Sequence, residues 1–241
     1  MAVEKSVTGT LADEKTIGEA MPKLLPLENG DRLTRHEFER RYQATEHIKR
    51  AELIEGVVYV ASPLRFEPHA EPHGQIITWL GVYHAATPGV RLGDNATVRL
   101  DMDNEPQPDG LLRLNESIGG QSHLSDDGYV EGAPELIVEV AASSASYDLH
   151  DKLRVYRRNG VQEYIVWQVY EQRLDWFRLT QGEYVSLQPD SEGIVRSEVF
   201  PGLWLAVPAL LEGNLAQVLT VLQSGLATAE HAAFVEHLSG S

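Results

Sequence analysis

The sequence predicts an α/β (α+β) domain, a mixed β-sheet flanked by helices. Three observations carry this. Helical and strand-like periodicities follow one another irregularly, as helix, mixed strands, helix, strands, which suits one mixed sheet better than a regular βα repeat. A continuous apolar run, Glu135-Leu136-Ile137-Val138-Glu139-Val140, has the character of a strand buried on both faces. A length of 241 residues and an apolar fraction of 42% suffice for one domain with a real core.

Residues 1–30 mix charged and small residues without a period and are expected to be an N-terminal extension. The domain proper is expected over 31–223. Its first helix runs from Thr34 to about Ala44, with Thr34 and Glu37 spaced as a capping box and Phe38 and Tyr42 as an i,i+4 apolar pair. Ala51–Val60 reads as a hairpin turning at Glu55-Gly56. Pro72 suits the first position of a second helix, which keeps Ile76, Leu80 and Tyr83 on one face and stops before Pro88-Gly89. Ala96–Leu100 reads as a strand, followed by the acidic turn 101–105. A strand opened by prolines follows over 106–114, and the Gly- and Ser-rich stretch 115–132 reads as a loop.

After the apolar strand, Leu149, Leu153 and Tyr156 mark a helix ending at Asn159-Gly160, a left-handed cap. Gln162–Val169 and Arg173–Leu179 form a hairpin over Tyr170-Glu171-Gln172, and Tyr184–Leu187 adds a strand. Trp167 and Trp176 are then core residues or a cross-strand contact. Phe200–Leu205 is a last short strand, Pro208–Leu222 an amphipathic helix, and 224–241 a small, polar C-terminal tail.

Composition excludes several classes. Without cysteine there are no disulfides or thiolate metal sites, and a cytoplasmic setting fits. No apolar run reaches the roughly 18 residues of a membrane span, so no membrane partner is expected. The start has no signal-peptide apolar region. A net charge of −16 opposes long-range attraction to a polyanion. A local cationic cleft is still compatible with that charge, and Arg154, Arg157 and Arg158 are its candidates.

The chemistry concentrates in two acids. Asp109 ends a Pro-Asp dipeptide at a strand start, and Glu139 lies inside the apolar strand. An unpaired carboxylate there costs several kcal/mol, so Glu139 needs a cation or a hydrogen-bonded partner. Two acids at strand ends can converge on a hard cation such as Mg²⁺, which takes one or two carboxylates and completes its shell with water and phosphate. The lysine expected two residues after the glutamate is missing, since position 141 is alanine. Lys152 is the candidate replacement, one turn after Asp148 and one before Tyr156 on a shared helix face. It either reaches back over the carboxylates or makes an ordinary ion pair with Asp148. His69 and His73 are spaced as a zinc pair, but Pro72 between them argues against a continuous helix, leaving His73 a supporting role. Ser143 and Ser144 lack a nucleophile elbow and read as helix caps.

Together, Pro108-Asp109, Glu139-Val140, Ser143-Ser144, Asp148, Lys152, Tyr156 and Gly160-Val161-Gln162-Glu163-Tyr164 resemble the Uma family of restriction-endonuclease-like proteins, within the PD-(D/E)XK nuclease superfamily. Glu52-Leu53-Ile54-Glu55-Gly56, His73, Ser197 and Phe200-Pro201-Gly202-Leu203 extend the resemblance over about residues 31–215. It implies a restriction-endonuclease-like core with a four-stranded mixed sheet and Mg²⁺ or Mn²⁺ held by Asp109, Glu139 and the Val140 carbonyl. It further implies that the lysine has migrated to Lys152, with Glu52 as an additional acid and DNA as substrate. Gln168 stands where the family often has aspartate. By analogy with nucleases that cut both strands, a homodimer is a further expectation. The rival reading is a catalytically silent nuclease fold serving as a binding or interaction module, which the −16 charge favours.

Overall fold

The apolar run around Glu139 lies inside the largest sheet of the protein. The computed structural model describes residues 24–63, 65–142 and 147–240. Most of the expected N-terminal extension and the serine cap at Ser143-Ser144 lie outside these residues. The main sheet has six strands, ordered β11 (Glu183–Ser186), β10 (Arg173–Thr180), β9 (Glu163–Gln168), β8 (Leu136–Ala141), β5 (Gly110–Leu114) and β3 (Val90–Asp94). Only β8 and β9 pair in parallel; the other neighbours are antiparallel. A parallel pair needs a crossover. Here it is a π-helical turn, Asp148–Lys152, running into helix α3 (Leu153–Asn159).

Strand alternation sorts β8 into two faces. Leu136, Val138 and Val140 enter a core shared with α2 (Glu71–Ala86) and α5 (Leu215–Leu226). Ile137 and Ala141 enter a second core with Tyr156 of α3. Glu139, between those two, therefore points to the α3 face. A hairpin of β1 (Ala51–Ile54) and β2 (Val57–Val60) closes a third small core against α1 (Arg35–Ala44) through Leu53, Val58 and Phe38. Leu53 exchanges both backbone hydrogen bonds with Glu105 (3.1 and 2.7 Å), which fixes the hairpin beside the segment leading to Asp109.

Several local expectations hold. Glu55 and Gly56 turn the first hairpin with φ of 50° and 72°, the left-handed pair a two-residue turn requires. Gly160 caps α3 at φ 85°. Phe38 and Tyr42 stack at 5.5 Å, and Trp176 is buried edge-on against Trp79 at 5.9 Å.

Others do not. Thr34 makes no side-chain cap, and the Glu37 carboxylate, which the capping box would turn back to the Thr34 N–H, binds Arg40 and Arg41 instead. The expected strand 96–100 shrinks to β4 (Val98–Arg99), which joins a small side sheet with β6 (His123–Leu124) and β7 (Val130–Glu131) out of the stretch read as loop. The implied four strands become six, because β11 extends one edge of the sheet and β3, which was not foreseen at all, extends the other. A last hairpin pairs β12 (Ile194–Arg196) with β13 (Trp204–Ala206). The C-terminal helix breaks at Gly213, with φ of 74°, into α4 (Val207–Leu211) and α5. Within 224–241, read as a polar tail, α6 (Ala229–Ser239) packs Leu238 and Phe234 on the main core. No helix among the described residues is long and apolar enough to cross a membrane.

Candidate active site

Pro108 explains where Asp109 sits. The β5–β8 ladder ends at the pair Gly110 and Val138. The next hydrogen-bonding position on that side would fall to Pro108, which has no N–H to donate. The strands part there, and Asp109 Oδ2 accepts the Val140 N–H at 2.8 Å. A strand residue aims its N–H and C=O to the same side. The Val140 carbonyl therefore also faces Asp109.

Asp109 Oδ1 is held by Arg50 at 3.2 Å and His69 at 3.5 Å. Burial alone would push this carboxyl up. The His69 hydrogen bond, the Arg50 charge and the Val140 amide outweigh it and hold the group at about 2, below its usual 3.8. A depressed acid stabilises the fold above its unfolded pKa, and that stability is lost as pH falls through the folded value. Asp109→Asn should therefore cost about 2 kcal/mol in urea unfolding at pH 7. The deficit should shrink between about pH 4 and pH 2. A loss that does not change with pH would show that the charge of Asp109 is not what holds this corner together.

Glu139 has the opposite surroundings. Its Oε1 accepts from Lys152 Nζ at 2.9 Å and the Tyr156 hydroxyl at 2.8 Å. Its Oε2 has no hydrogen bond among the described residues. Burial pushes Glu139 up; Lys152 opposes this, but Asp148, Asp109 and Glu52 add to it, and the group stands at about 8. Lys152, itself buried, also contacts Glu52 at 3.0 Å and Asp148 at 3.7 Å. Burial opposes its charge, but these three carboxylates hold it protonated well above the ordinary lysine value. Both sequence readings of Lys152 are thus realised together: it pairs with Asp148 and reaches back to Glu139. A lysine at 141 would share the Glu139 face, so Ala141 leaves that face to Lys152. Glu52 Oε1 is further fixed by the Gln107 N–H at 2.6 Å.

His73 Nε2 lies 3.0 Å from the Asp109 carbonyl and 3.0 Å from Asp94 Oδ1. Pro72 does not separate the two histidines as expected. A π-helical turn, Phe66–Ala70, runs directly into α2, and its wider register admits a residue without an N–H. The rings of His69 and His73 lie 5.9 Å apart, and His69 reaches Asp109.

Sequence reasoning missed Arg50 and set His69 aside. Arg50 was detectable, because it lies two positions before Glu52 and alternation puts both on one face of β1. His69 was not, because its placement depends on the π-helical turn. The basic trio is also corrected. Arg154 pairs with Glu55 and Asp151, Arg157 with Glu183, and Arg158 with Glu55 and Asp101, and none of the three lines the cavity that holds Asp109 and Glu139.

Asp109, Glu139, Lys152, Glu52 and Arg50 line one cavity of about 520 Å³. The Uma2 family, described as "Putative restriction endonuclease", matches residues 35–208. The chain belongs to this family. Among solved structures, it resembles a "putative nuclease belonging to DUF820" from Anabaena variabilis ATCC 29413. The two are 17% identical, with a TM-score of 0.50 over 67% of this chain and 89% of the other. That likeness establishes a shared fold, and the fold class of this Uma2 member is a mixed sheet flanked by helices. No curated protein matches the chain.

The donor set suits a hard cation. Four carboxylates (Glu52, Asp109, Glu139 and Asp148) and three permanent cations (Arg50, Arg65 and Lys152) line the cavity. Glu139 Oε2, Asp109 Oδ1 and the Val140 carbonyl are all oxygen, and there is no sulfur. Among the described residues no three His, Asp or Glu side chains converge tightly enough to hold an ion. An ion here would rest on two carboxylates, a carbonyl and water, which is the usual arrangement for Mg²⁺ rather than Zn²⁺. The Arg50 and His69 contacts to Asp109 are longer than the roughly 2.7–2.9 Å of tight charge-assisted bonds, so Oδ1 remains able to exchange partners.

Proposed function

We propose that this Uma2 protein is a Mg²⁺- or Mn²⁺-dependent endonuclease that hydrolyses phosphodiester bonds in DNA. The observation that carries the reading is the meeting of Asp109, Glu139 and Lys152, from three separate elements, in one cavity with an excess of carboxylate. A bound divalent ion would polarise the phosphoryl oxygen and lower the pKa of water.

The side chains divide the remaining work. Asp109, braced by the Val140 amide and His69, offers one ligand oxygen. Glu139 offers Oε2, its orientation fixed by Tyr156 and Lys152 on Oε1. Lys152, kept charged by Glu139, Glu52 and Asp148, presents the one ammonium among the described residues positioned to orient the attacking water or offset charge on the phosphate. Glu52 holds Lys152 and completes the acidic wall.

Metal binding then competes with the Glu139 proton, so affinity should depend on pH. Calorimetric titration with Mn²⁺ should show binding about tenfold tighter for each pH unit from 6 to 8, levelling above about 8. Glu139→Gln should abolish the heat. Equal heat in wild type and variant would refute the metal role of Glu139.

The second reading, a silent nuclease fold that serves as an interaction module, draws support from the −16 charge and the neutralised arginines of α3. Absence of Mn²⁺ binding at every pH would favour it.

A further inference from the structure

Phe66 is 71% exposed and Tyr170 59% exposed, and both line one open hollow of about 630 Å³. Arg65, Pro68 and Tyr170 border this hollow and the Asp109–Glu139 cavity alike, so the two are continuous. Neither ring sits on an unrelated loop. Phe66 opens the π-helical turn that delivers His69 to Asp109, and Tyr170 follows β9, which pairs with β8. On the other wall of the cavity, Tyr59 and Tyr147 pack ring to ring at 4.3 Å.

We infer that Phe66 and Tyr170 form a stacking platform for unpaired bases, and that the substrate class of this site is single-stranded DNA; this rests on the nuclease reading above. Electrostatics points away from duplex. Duplex binding draws most of its affinity from phosphate neutralisation over a broad basic surface. Here the chain carries −16, Glu67 lines the hollow, and the α3 arginines are occupied by carboxylates. Stacking on exposed aromatic rings accepts every base and supplies part of the affinity without a broad basic surface, beside a smaller set of phosphate contacts. The exposed guanidinium of Arg65, between hollow and cavity, supplies a local contact for one phosphate. A strand whose base rests on Tyr170 or Phe66 would pass its next phosphate toward the carboxylates.

The test is fluorescence anisotropy of a labelled mixed-sequence oligonucleotide, single-stranded or annealed to its complement, with the full chain and no divalent ion. Single strand should bind more tightly than duplex. Tyr170→Ala and Phe66→Ala should each weaken single-strand binding by about 5- to 150-fold. Both positions are exposed, so melting temperature and Mn²⁺ binding should not move. Equal or tighter duplex binding, no single-strand binding, or unchanged affinity in both variants would overturn the platform. So would variants that change only self-association, since a second copy would then be what covers the hollow. Mn²⁺ binding with efficient duplex cleavage in both variants would overturn the platform while leaving the nuclease reading intact. No Mn²⁺ binding and no cleavage of either substrate would remove the nuclease reading itself.

Discussion

Glu139→Gln should lower Mg²⁺-dependent DNA cleavage by about 10³-fold or more, and it should raise the melting temperature at high pH. The first effect follows from losing a metal-linked contribution worth several kcal/mol to the transition state, at about 1.36 kcal/mol per decade of rate. The second follows from surroundings that disfavour the charge of Glu139. Burial comes first among the causes; the charge of Lys152 opposes it, but the Asp148, Asp109 and Glu52 carboxylates add to it. An acid whose folded pKa is raised to about 8 binds more protons folded than unfolded, so its ionisation erodes stability as pH rises from about 4.5 to 8. Glutamine keeps an oxygen for Lys152 and Tyr156 and never ionises. The variant should match wild type near pH 4.5 and exceed it above pH 8 in thermal melts. Full cleavage by a well-folded Glu139→Gln would exclude Glu139 from the chemistry.

Lys152→Met should be the most destabilising single change at the site. The ammonium is buried and contacts Glu139, Glu52 and Asp148 at 2.9, 3.0 and 3.7 Å. Methionine fills similar volume but leaves those acids without their shared cation. Removing one partner of a buried charge cluster costs about 3–5 kcal/mol. The loss should be greatest near pH 8, where the carboxylates are ionised, and smaller near pH 5. Adding Glu139→Gln should recover part of it, because the two residues are coupled through one contact. Denaturant unfolding of the two single variants and the double variant measures this directly. Strictly additive effects of the two substitutions would mean that Lys152 and Glu139 do not depend on each other.

The core of the site was legible because its signals are local. Glu139 stood out as a charge in an apolar run, Asp109 as an acid at a proline-opened strand, and Lys152 as one turn from Asp148 on a helix face. What stayed hidden depends on contacts distant in sequence or on departures from regular geometry. His69 reaches Asp109 through a π-helical turn, which a proline at position 72 made look like a break. The cations of α3 looked available because their partners, Glu55, Asp101 and Glu183, come from other parts of the chain. β3, with Arg91 exposed between buried Val90 and half-buried Leu92, carries a strand alternation, but Pro88-Gly89 and Gly93 mask it. The polar composition of 224–241 hid a helix that buries little more than His231 and Leu238.

The claim on which the rest depends is that Asp109 and Glu139 share a divalent ion. A crystal soaked in Mn²⁺ and measured for anomalous scattering tests it with no assumption about substrate. One peak should appear in the cavity at about 2.0–2.3 Å from a carboxylate oxygen of each residue, and it should vanish in Glu139→Gln. A well-ordered site with no peak there, or a peak that ignores both carboxylates, would contradict it.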